Sequence, residues 1–522
     1  MTALLLFVFR TWKRAIKMIV LINPPQLFTP TQETAGVVPP LGLAYLAASL
    51  SREGYQVSII DAVGEKYWAY YNWQGHKLRG LSFEEIIERI PSDAEWIGLS
   101  NLYTFAFLVS AELSDRIKVK YPHIPLVHGG AHSTVMPHYS LSRKSVDAVA
   151  LSEGEITAVE LTKAFAGKKA LNEIDGIAFR SNGEVKVNSK TNYIKDLDTV
   201  PFPRRDLLPM VNYFEAREPH GSANTVRWTT MIASRGCPYG CTFCNTPKIW
   251  HRLWRVRSPQ NVIDEIKSLQ NDYGVEEIHF EDENLGLRKA WTLEFCQKLI
   301  EQRVNIRWQP SNGIRAESVT EETAAVMKQS GCTNVTIAAE SGSPRVLKEI
   351  IKKNLHLPKV TESVNILHRN KLKIAVYFML GLPGEKKREV FKSISLAGKL
   401  ARKGAHETVF SIFSPLPGSE LTELLAAEGR ISVSEQFFDH ITPHGDMLNA
   451  QSHSEYISNA QVVILKYLGY AWFYLNRIIF HPPGIFESIC NVITDKQTLK
   501  TERVLRTVMM RFLGKSRRKS RN

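Results

Sequence analysis

The sequence has few cysteines and little net charge outside its two ends. Six cysteines in 522 residues are too few for the disulfide framework of a secreted domain, so we expect a reducing cytoplasm. The apolar run ALLLFVF near the N-terminus is too short to span a bilayer, and its positive charges follow it. The sequence therefore predicts neither a spanning helix nor a signal peptide at this end.

The excess of positive charge is confined to the chain ends. Residues 1–17 carry four basic residues and no acid, and residues 500–522 carry nine basic residues and one acid, a net charge of +8. Subtracting these 12 charges from the formal +14 leaves +2 for residues 18–499. A body so close to neutrality predicts no basic groove for nucleic acid.

The C-terminal segment is predicted to form a basic amphipathic helix. Such a helix either lies on an anionic membrane surface or docks on the protein body, and both alternatives stay open. We expect a cytoplasmic protein that can lie at the inner membrane surface through its basic ends. The apolar residues at helical spacing are Val504, Leu505, Val508, Met509, Phe512 and Leu513.

The rest of the chain shows two series of alternating strand and helix patterns. Nearly continuous apolar strands such as MIVLI and PLVHGG predict an α/β domain with an open, doubly wound parallel sheet of the flavodoxin or Rossmann type. Six later repeats predict a partial (β/α)6 TIM-type barrel with its chemistry at the strand C-terminal ends. The predicted units are an N-terminal extension (1–17), the open α/β domain (18–167), a hairpin and linker (168–228), the barrel (229–425), a helical region (426–499) and the basic tail (500–522).

Three of the cysteines lie in one short loop, SRGCPYGCTFC, which follows the first barrel strand. Structural zinc needs four ligands, and no fourth cysteine follows at a finger-like distance. A [4Fe–4S] cluster held by Cys237, Cys241 and Cys244 explains the count, because its fourth iron stays open for a small-molecule ligand. Zinc and inert packing remain the alternatives.

The C-x3-C-x2-C spacing, with Phe243 before the last cysteine, resembles the radical S-adenosylmethionine (SAM) superfamily. The resemblance implies that SAM binds the open iron and is cleaved by one electron to a 5′-deoxyadenosyl radical, with Phe243 beside it. It also implies that Asp282 and Glu283 of FEDEN hold the methionine amino group, although the family's usual Gly-Gly-Glu is absent. Capping of the next helix is the alternative for these two carboxylates. Glu340 and Ser341 would approach the ribose or carboxylate of SAM.

Three stretches of the first domain, PPLGLAYLAASL, GGAHSTVMP and SEGE, resemble the cobalamin-binding domain of one large radical SAM subgroup. The Asp-x-His-x-x-Gly motif that supplies a cobalt-coordinating histidine elsewhere is absent, so we expect no histidine on the lower face of cobalt. A flavodoxin-like domain without cofactor is the alternative. The implied cobalamin contacts are Leu41, Ser100, Asn101, Gly129, Gly130, His132, Ser133, Gly154 and Glu155.

Together these resemblances imply a cobalamin-dependent radical SAM enzyme that methylates an unactivated carbon, or phosphorus, of a small molecule or lipid. Its cofactors would be a [4Fe–4S] cluster, SAM and cobalamin, and its electron donor a flavodoxin or ferredoxin. Radical oxidation or cyclisation without methyl transfer, and a non-catalytic cobalamin or iron–sulfur sensor, are the alternatives. No catalytic residue is assigned from the sequence.

The substrate pocket is the least defined part of the sequence. Trp308, Gln309 and Arg315 lie on or just after the third predicted barrel strand and are candidates to line it. Buried packing is the alternative for Trp308. The aromatic stretch 467–480 is predicted to fill a helical core rather than cap the barrel mouth.

Overall fold

Two sheets built mainly of parallel strands, one after the other in the chain, organise the protein. The computed structural model describes residues 18–29, 32, 35–441 and 450–512. The predicted extension 1–17 and residues 513–522 of the predicted tail lie outside this part. The strands are β1 (Met18–Asn23), β2 (Gln26–Phe28), β3 (Gln56–Asp61), β4 (Tyr70–Trp73), β5 (His76–Arg79), β6 (Trp96–Ser100), β7 (Leu126–Gly129), β8 (Ala148–Ala150), β9 (Ile177–Ser181), β10 (Glu184–Asn188), β11 (Trp228–Met231), β12 (Ser234–Arg235), β13 (Arg255–Val256), β14 (Glu277–Phe280), β15 (Arg307–Pro310), β16 (Asn334–Glu340), β17 (Lys373–Leu380) and β18 (Glu407–Ile412).

Helices connect most of these strands and form the C-terminal region. A further π-helical turn covers Val346–Ile350. The α-helices are α1 (Leu41–Arg52), α2 (Ala62–Glu65), α3 (Phe83–Glu88), α4 (Phe107–Lys120), α5 (Ala131–Val135), α6 (Pro137–Ser142), α7 (Glu155–Phe165), α8 (Met210–Ala216), α9 (Thr246–Trp250), α10 (Pro259–Tyr273), α11 (Lys289–Glu301), α12 (Glu321–Gln329), α13 (Leu357–Arg369), α14 (Lys387–Arg402), α15 (Glu420–Ala427), α16 (Glu435–His440), α17 (Asn459–Phe480), α18 (Pro482–Thr494) and α19 (Lys500–Phe512).

The first sheet has the strand order β10-β9-β8-β7-β6-β1-β3. Side chains alternate across each strand, so Val20 and Ile97 join an apolar cluster on one face while Ile19 and Trp96 join another on the opposite face. Both faces are therefore covered, and the predicted doubly wound domain is confirmed. The strand order reverses between β1 and β6, and such sheets bind ligands outside the strand carboxyl ends at that point.

The predicted hairpin belongs to this same sheet. Asn182 and Gly183 both have positive φ, 52° and 84°, as a type I′ turn requires. Strand β9 pairs antiparallel with β8, so the sheet continues to Asn188, beyond the predicted domain end at residue 167. The sequence pattern could identify the hairpin but not the strand on which it would pair. A small antiparallel sheet, β2-β5-β4, was not predicted at all.

The second sheet is the predicted partial barrel. Strands β11-β14-β15 and β16-β17-β18 each pair in parallel, and backbone bridges from Trp308 to Cys332 and from Ile314 to Ile337 join the two halves. The six strands predicted from the sequence are confirmed in chain order. Their C-terminal ends share one edge, which brings loops distant in sequence together at that edge.

The C-terminal helices pack along the outside of the barrel. Helix α17 buries Val462, Leu465 and Phe473 against α14 and β18, while its opposite face is exposed. Helix α19 is docked, since Thr501 donates its backbone N–H to Glu407 (3.1 Å) and the buried Arg503 donates to the carbonyl of Pro219. For residues 500–512 the structure therefore agrees with the docked alternative. No helix in the described ranges is long and apolar enough to cross a bilayer.

Candidate active site at the strand ends

The cysteine loop is closed at its base by a short antiparallel pair. Strands β12 and β13 pair Ser234 with Val256 and Arg235 with Arg255, so the two ends of the loop are held together. Gly236 has φ +85°, and a Cβ there would lie 2.1 Å from the carbonyl oxygen of Leu253. Only glycine fits this turn, through which the backbone passes from β12 into the cysteine loop.

The three thiols of the loop are free and half-buried. Burial raises the pKa of each thiol, for Cys241 to about 11, and the charge of Cys244 contributes to that rise. Within the described chain no three His, Cys, Asp or Glu side chains converge on one metal ion. A cubane cluster requires less convergence because each thiolate binds a different iron. Three adjacent free thiols fit the donor set of such a cluster.

Asp282, at the end of β14, is the anchor of the chain that enters the loop. Its carboxylate accepts the backbone N–H of Ala233 (3.1 Å) and both the N–H and the hydroxyl (2.6 Å) of Ser234. Burial outweighs these hydrogen bonds and raises the pKa of Asp282 to about 7. Both carboxylate oxygens are engaged, so Asp282 positions the loop; it does not cap the next helix, α11.

The next two residues of FEDEN also contact the loop. Glu283 accepts hydrogen bonds from Gly236 N–H (3.1 Å) and from the indole N–H of Trp250 (2.7 Å), yet its side chain is exposed. The amide of Asn284 donates to the sulfur of Cys237 (3.9 Å). Asn284 was not among the sequence candidates, although it stands beside them in the same motif.

Later strand ends complete the surroundings of the loop. Glu340 has the left-handed φ of +60°, unusual for a side chain of this size, and pairs with Lys353 at 3.0 Å. Both charges act on the pKa of Cys241, which places them beside it. The guanidinium of Arg315 lies 3.8 Å from the centre of the Tyr239 ring in the same loop.

Two SAM candidates face the protein interior. Ser341 is fully buried, and its hydroxyl lies 3.3 Å from that of Ser393 on α14. Phe243 packs on the apolar cluster that includes Leu347 and Met379. Glu283 and Glu340 are therefore the candidates that reach the space beside the thiols.

Two of the three substrate-pocket candidates are buried away from the cysteine loop. Trp308 is buried against Phe295 (5.6 Å between ring centres) and donates its indole N–H to the carbonyl of Ser330 (3.2 Å), which agrees with the packing alternative. Gln309 is buried within the barrel, where its amide donates to the Glu277 carboxylate (2.7 Å). Of the three, only Arg315 reaches the cysteine loop.

The edge of the first sheet carries a second set of predicted residues, among them Ser100 at the end of β6. Asn101 donates its backbone N–H to the carbonyl of Gly129 (2.6 Å), while its side chain, 1% exposed, has no partner for either amide atom. Gly130 has φ +113°, and a Cβ there would lie 2.8 Å from the carbonyl oxygen of Asn101. Buried polar atoms normally have hydrogen-bond partners, so the unpartnered side-chain amide of Asn101 is suited to bind a polar group of a ligand at this edge.

His132 lies beside Asn101 in an aromatic cage. Its Nδ1 is 3.1 Å from the Thr104 hydroxyl, and its Nε2 is buried without a partner. Burial lowers the pKa of His132 to about 3, so the ring is neutral. The rings of Phe107 and of Phe438 on α16 lie 4.8 and 5.3 Å from it.

Two further cobalamin candidates are internal. Ser133 is buried and accepts a hydroxyl hydrogen bond from Ser140 at 3.5 Å. Leu41 packs with Tyr45 and Val200 in a small apolar cluster. Both stabilise the loops of the domain from inside.

The two glutamates of the SEGE motif form ion pairs that join the first domain to the barrel. Arg235, two residues before the first cysteine, donates to Glu153 and to Glu155, both at 2.6 Å, and Arg255 also pairs with Glu153 (3.0 Å). The carboxylate of Glu155, predicted to contact cobalamin, is thus directed to the cysteine loop. A Cβ on Gly154 would meet Leu46 at 2.9 Å, so close packing explains this glycine.

Two exposed residues just after β6 lie near the strand ends of the barrel. Leu102 and Tyr103, just after β6, expose 49% and 47% of their surfaces. Although nearly half of its surface is exposed, Tyr103 is surrounded by protein atoms, and this desolvation, followed by the charge of Glu281 just after β14, raises its pKa to about 12. Glu281 in turn lies 3.1 Å from His220 Nδ1. Sequence reasoning missed Leu102, Tyr103 and His220 because no local motif marks them, and it passed over Glu281 although that residue belongs to FEDEN.

Family models match both domains of the chain. A model described as the B12 binding domain matches residues 30–162, and one described as the radical SAM superfamily matches residues 231–397. The two matched regions contain the Asn101 edge and the cysteine loop, respectively.

Known proteins resemble the chain over most of its length. An uncharacterized methyltransferase of Pyrococcus horikoshii is 31% identical over 410 residues, which cover 78% of this chain and 83% of the relative. The cytidylyl-2-hydroxyethylphosphonate methyltransferase of Streptomyces wedmorensis is 30% identical over 432 residues, 76% of this chain and 80% of the relative. The fold resembles the radical SAM methyltransferase TsrM of Kitasatospora setae, solved with cobalamin and a [4Fe–4S] cluster (TM-score 0.63, 17% identity, 79% of this chain and 78% of that one).

We expect Arg235→Met to destabilise the contact between the domains. The change leaves Glu155 buried without its cation, and breaking a buried ion pair costs about 3 kcal/mol or more. The midpoint of urea unfolding, followed by circular dichroism, should fall clearly. Arg116→Met, which breaks exposed pairs only, is the control and should shift stability by less than about 1 kcal/mol. Equal midpoints for the two variants would contradict the structural role of Arg235.

Asp282→Ala should loosen the cysteine loop. The substitution leaves the buried N–H groups of Ala233 and Ser234 without an acceptor, at about 1–3 kcal/mol each. We expect a lower unfolding temperature and less iron per chain after anaerobic reconstitution. Asp272→Ala, on the exposed face of α10, should change neither quantity. Full iron content in Asp282→Ala would show that the loop does not depend on this carboxylate.

Proposed function

Because this chain belongs to the cobalamin-dependent radical SAM family, we propose that it methylates an unactivated carbon, or phosphorus, of a small molecule or lipid. The observation that carries the proposal is the buried Arg235 pair, which joins the cysteine loop to the SEGE motif of the first domain. This contact would hold one cofactor site against the other, as transfer between them requires.

The cysteine loop would hold the cluster through Cys237, Cys241 and Cys244. Glu283 and Glu340 are the carboxylates within reach of a SAM molecule beside the thiols. Asp282, with both oxygens engaged, would fix the loop for them. When bound, the cluster supplies the electron that cleaves SAM, and cobalamin supplies a methyl group that a substrate radical can accept.

The edge of the first sheet would hold cobalamin. Gly129 and Gly130 lie at this edge, where Gly130 lets the chain pack closely on the backbone of Asn101, and the unpartnered side-chain amide of Asn101 would offer a ligand both a donor and an acceptor. Ser100 lies at the same strand end. The neutral His132, enclosed by aromatic rings, would support the loop from beneath without binding cobalt.

The substrate would enter the space between the strand ends. Tyr103 and Glu281, which influence each other from opposite domains, would face this space, and Arg315, which follows β15 and lies over Tyr239 of the cysteine loop, would border it. Walls from both domains would exclude water while a radical is present. A flavodoxin or ferredoxin would supply electrons, and a lipid substrate would bring the protein to a membrane, to which its basic ends would be attracted.

The test is a turnover experiment under anaerobic conditions. The reconstituted, reduced protein would be incubated with methyl-labelled SAM and a metabolite or lipid extract. Methyl transfer predicts both S-adenosylhomocysteine and 5′-deoxyadenosine, together with a compound that gains the label. Deoxyadenosine without S-adenosylhomocysteine would indicate oxidation or cyclisation, and the absence of both would indicate a sensor.

Removal of one loop cysteine should abolish this chemistry. Cys241→Ala leaves two thiolates, too few to hold a site-differentiated cluster, so we expect loss of the iron–sulfur absorbance and of SAM cleavage. Cys490→Ala is the matched control, because that thiol is exposed and remote in sequence from the loop. A Cys241→Ala protein that keeps full iron and activity would refute the assignment.

Asn101→Leu should weaken cobalamin binding while leaving the cluster intact. The leucine is close in size but offers the corrin no hydrogen bond, so we expect about tenfold weaker binding. Cobalamin retention after gel filtration, read from the visible spectrum, measures the effect, and iron content is the internal check. Asn271→Leu, on the exposed surface of α10, should retain cobalamin fully. Unchanged retention in Asn101→Leu would place the corrin elsewhere.

A further inference from the structure

Helix α17 exposes a continuous apolar stripe on the outside of the barrel. Ile464, Leu468, Trp472, Leu475 and Ile479 recur every three or four residues, so they share one helix face. Each exposes between 43% and 60% of its surface. The stripe is about 22 Å long at the helical rise of 1.5 Å per residue. Isolated exposed apolar residues are ordinary, but an aligned set of this length indicates an interaction surface.

Helix α18 carries exposed apolar residues of its own. Phe486, Ile489 and Ile493 follow the same spacing and expose 73%, 53% and 66% of their surfaces. The two helices are consecutive and in contact. We call the eight residues on α17 and α18 the apolar face.

A basic border runs beside the apolar face. Helix α14, on which α17 packs, has a single acid on its length, Glu389, and that carboxylate is buried. The guanidinium of Arg402 lies 5.9 Å from the ring of Phe480, which is exposed at the end of α17, so a cation of α14 contacts this helix next to the stripe. The exposed cations of α14 and the residue after it are Lys387, Arg388, Lys392, Lys399, Arg402 and Lys403.

This charge selects among the possible occupants of the apolar face. A second copy would bring one basic border against another, and the N-terminal segment 1–17 carries only positive charges of its own. An anionic lipid surface satisfies both features, since its head groups attract the cations and its acyl region accepts apolar side chains. Trp472 in the stripe is typical of side chains at a membrane interface.

We propose that the apolar face of α17 and α18, with the basic border of α14, docks this protein on an anionic membrane surface. The inference goes beyond methyl transfer and does not depend on it. It locates the contact on described helices rather than on the chain ends, where the sequence alone had located it.

The test is flotation of the full-length, cluster-loaded protein with lipid vesicles. Vesicles of phosphatidylcholine and phosphatidylglycerol in about a 7:3 ratio should carry the protein upward, and vesicles of phosphatidylcholine alone should carry much less. The double variant L475E/I479E should lower recovery at least about tenfold, because charged residues do not enter the acyl region. The variant K399E/K403E should lower recovery with the anionic vesicles only.

The control V119E/V211E changes two exposed valines on α4 and α8, which lie outside the apolar face, and should float as the parent does. Circular dichroism and iron content verify that each variant is folded. Equal flotation of L475E/I479E and the parent would assign binding to the basic chain ends and overturn the proposal. Equal recovery of the parent with neutral and with anionic vesicles would also overturn it. So would a parent protein that does not float, and a dimer of the parent in light scattering that L475E/I479E dissociates would then assign the apolar face to contact between two copies.

Discussion

The arrangement of this molecule depends on one buried cation. Arg235 belongs to the base of the cysteine loop, yet both of its partners, Glu153 and Glu155, belong to the SEGE motif of the other domain. Desolvation makes such a group costly unless it is fully paired. The burial of Arg235 therefore requires the two domains to meet in one orientation. That orientation places the base of the cysteine loop against the SEGE motif, which follows β8 at the edge of the first sheet.

A second constraint acts within the barrel. Consecutive residues at the end of β14 contact the loop at different points: Asp282 at its entry, Glu283 at Gly236, and Asn284 at the first cysteine. A family resemblance assigns the two carboxylates to the cofactor, whereas the hydrogen bonds assign Asp282 to the loop itself. The loop follows the neighbouring strand, β11, and is hydrogen-bonded to the residues just after β14. Its conformation therefore depends on both strand ends.

The sequence predicted the parts of the fold that local patterns encode. Nearly continuous apolar runs revealed the parallel strands, and the Asn182-Gly183 pair revealed the hairpin turn. What the hairpin pairs with, and where Glu155 points, depend on residues far away in sequence, so no local pattern carries them. The same reason explains Trp308, whose position at a strand end suggested a pocket while its alternation along β15 places it against the helices. Arg235 and Glu281 lie in the quoted motifs, but their contacts, like the position of Tyr103, became visible only once the strand ends were assembled.

Unsatisfied polar atoms and exposed apolar atoms carry the same kind of information. Burying the side-chain amide of Asn101 without a hydrogen-bond partner costs free energy, which a polar ligand at the edge of the first sheet would recover. Exposing the apolar stripe of α17 to water also costs free energy, which an apolar environment on the outside of the barrel would recover. In a core, Leu475 or Ile479 would have been buried by one further helix, and the described chain supplies none there. Both features are the ones on which the proposed cobalamin site and the proposed membrane contact rest.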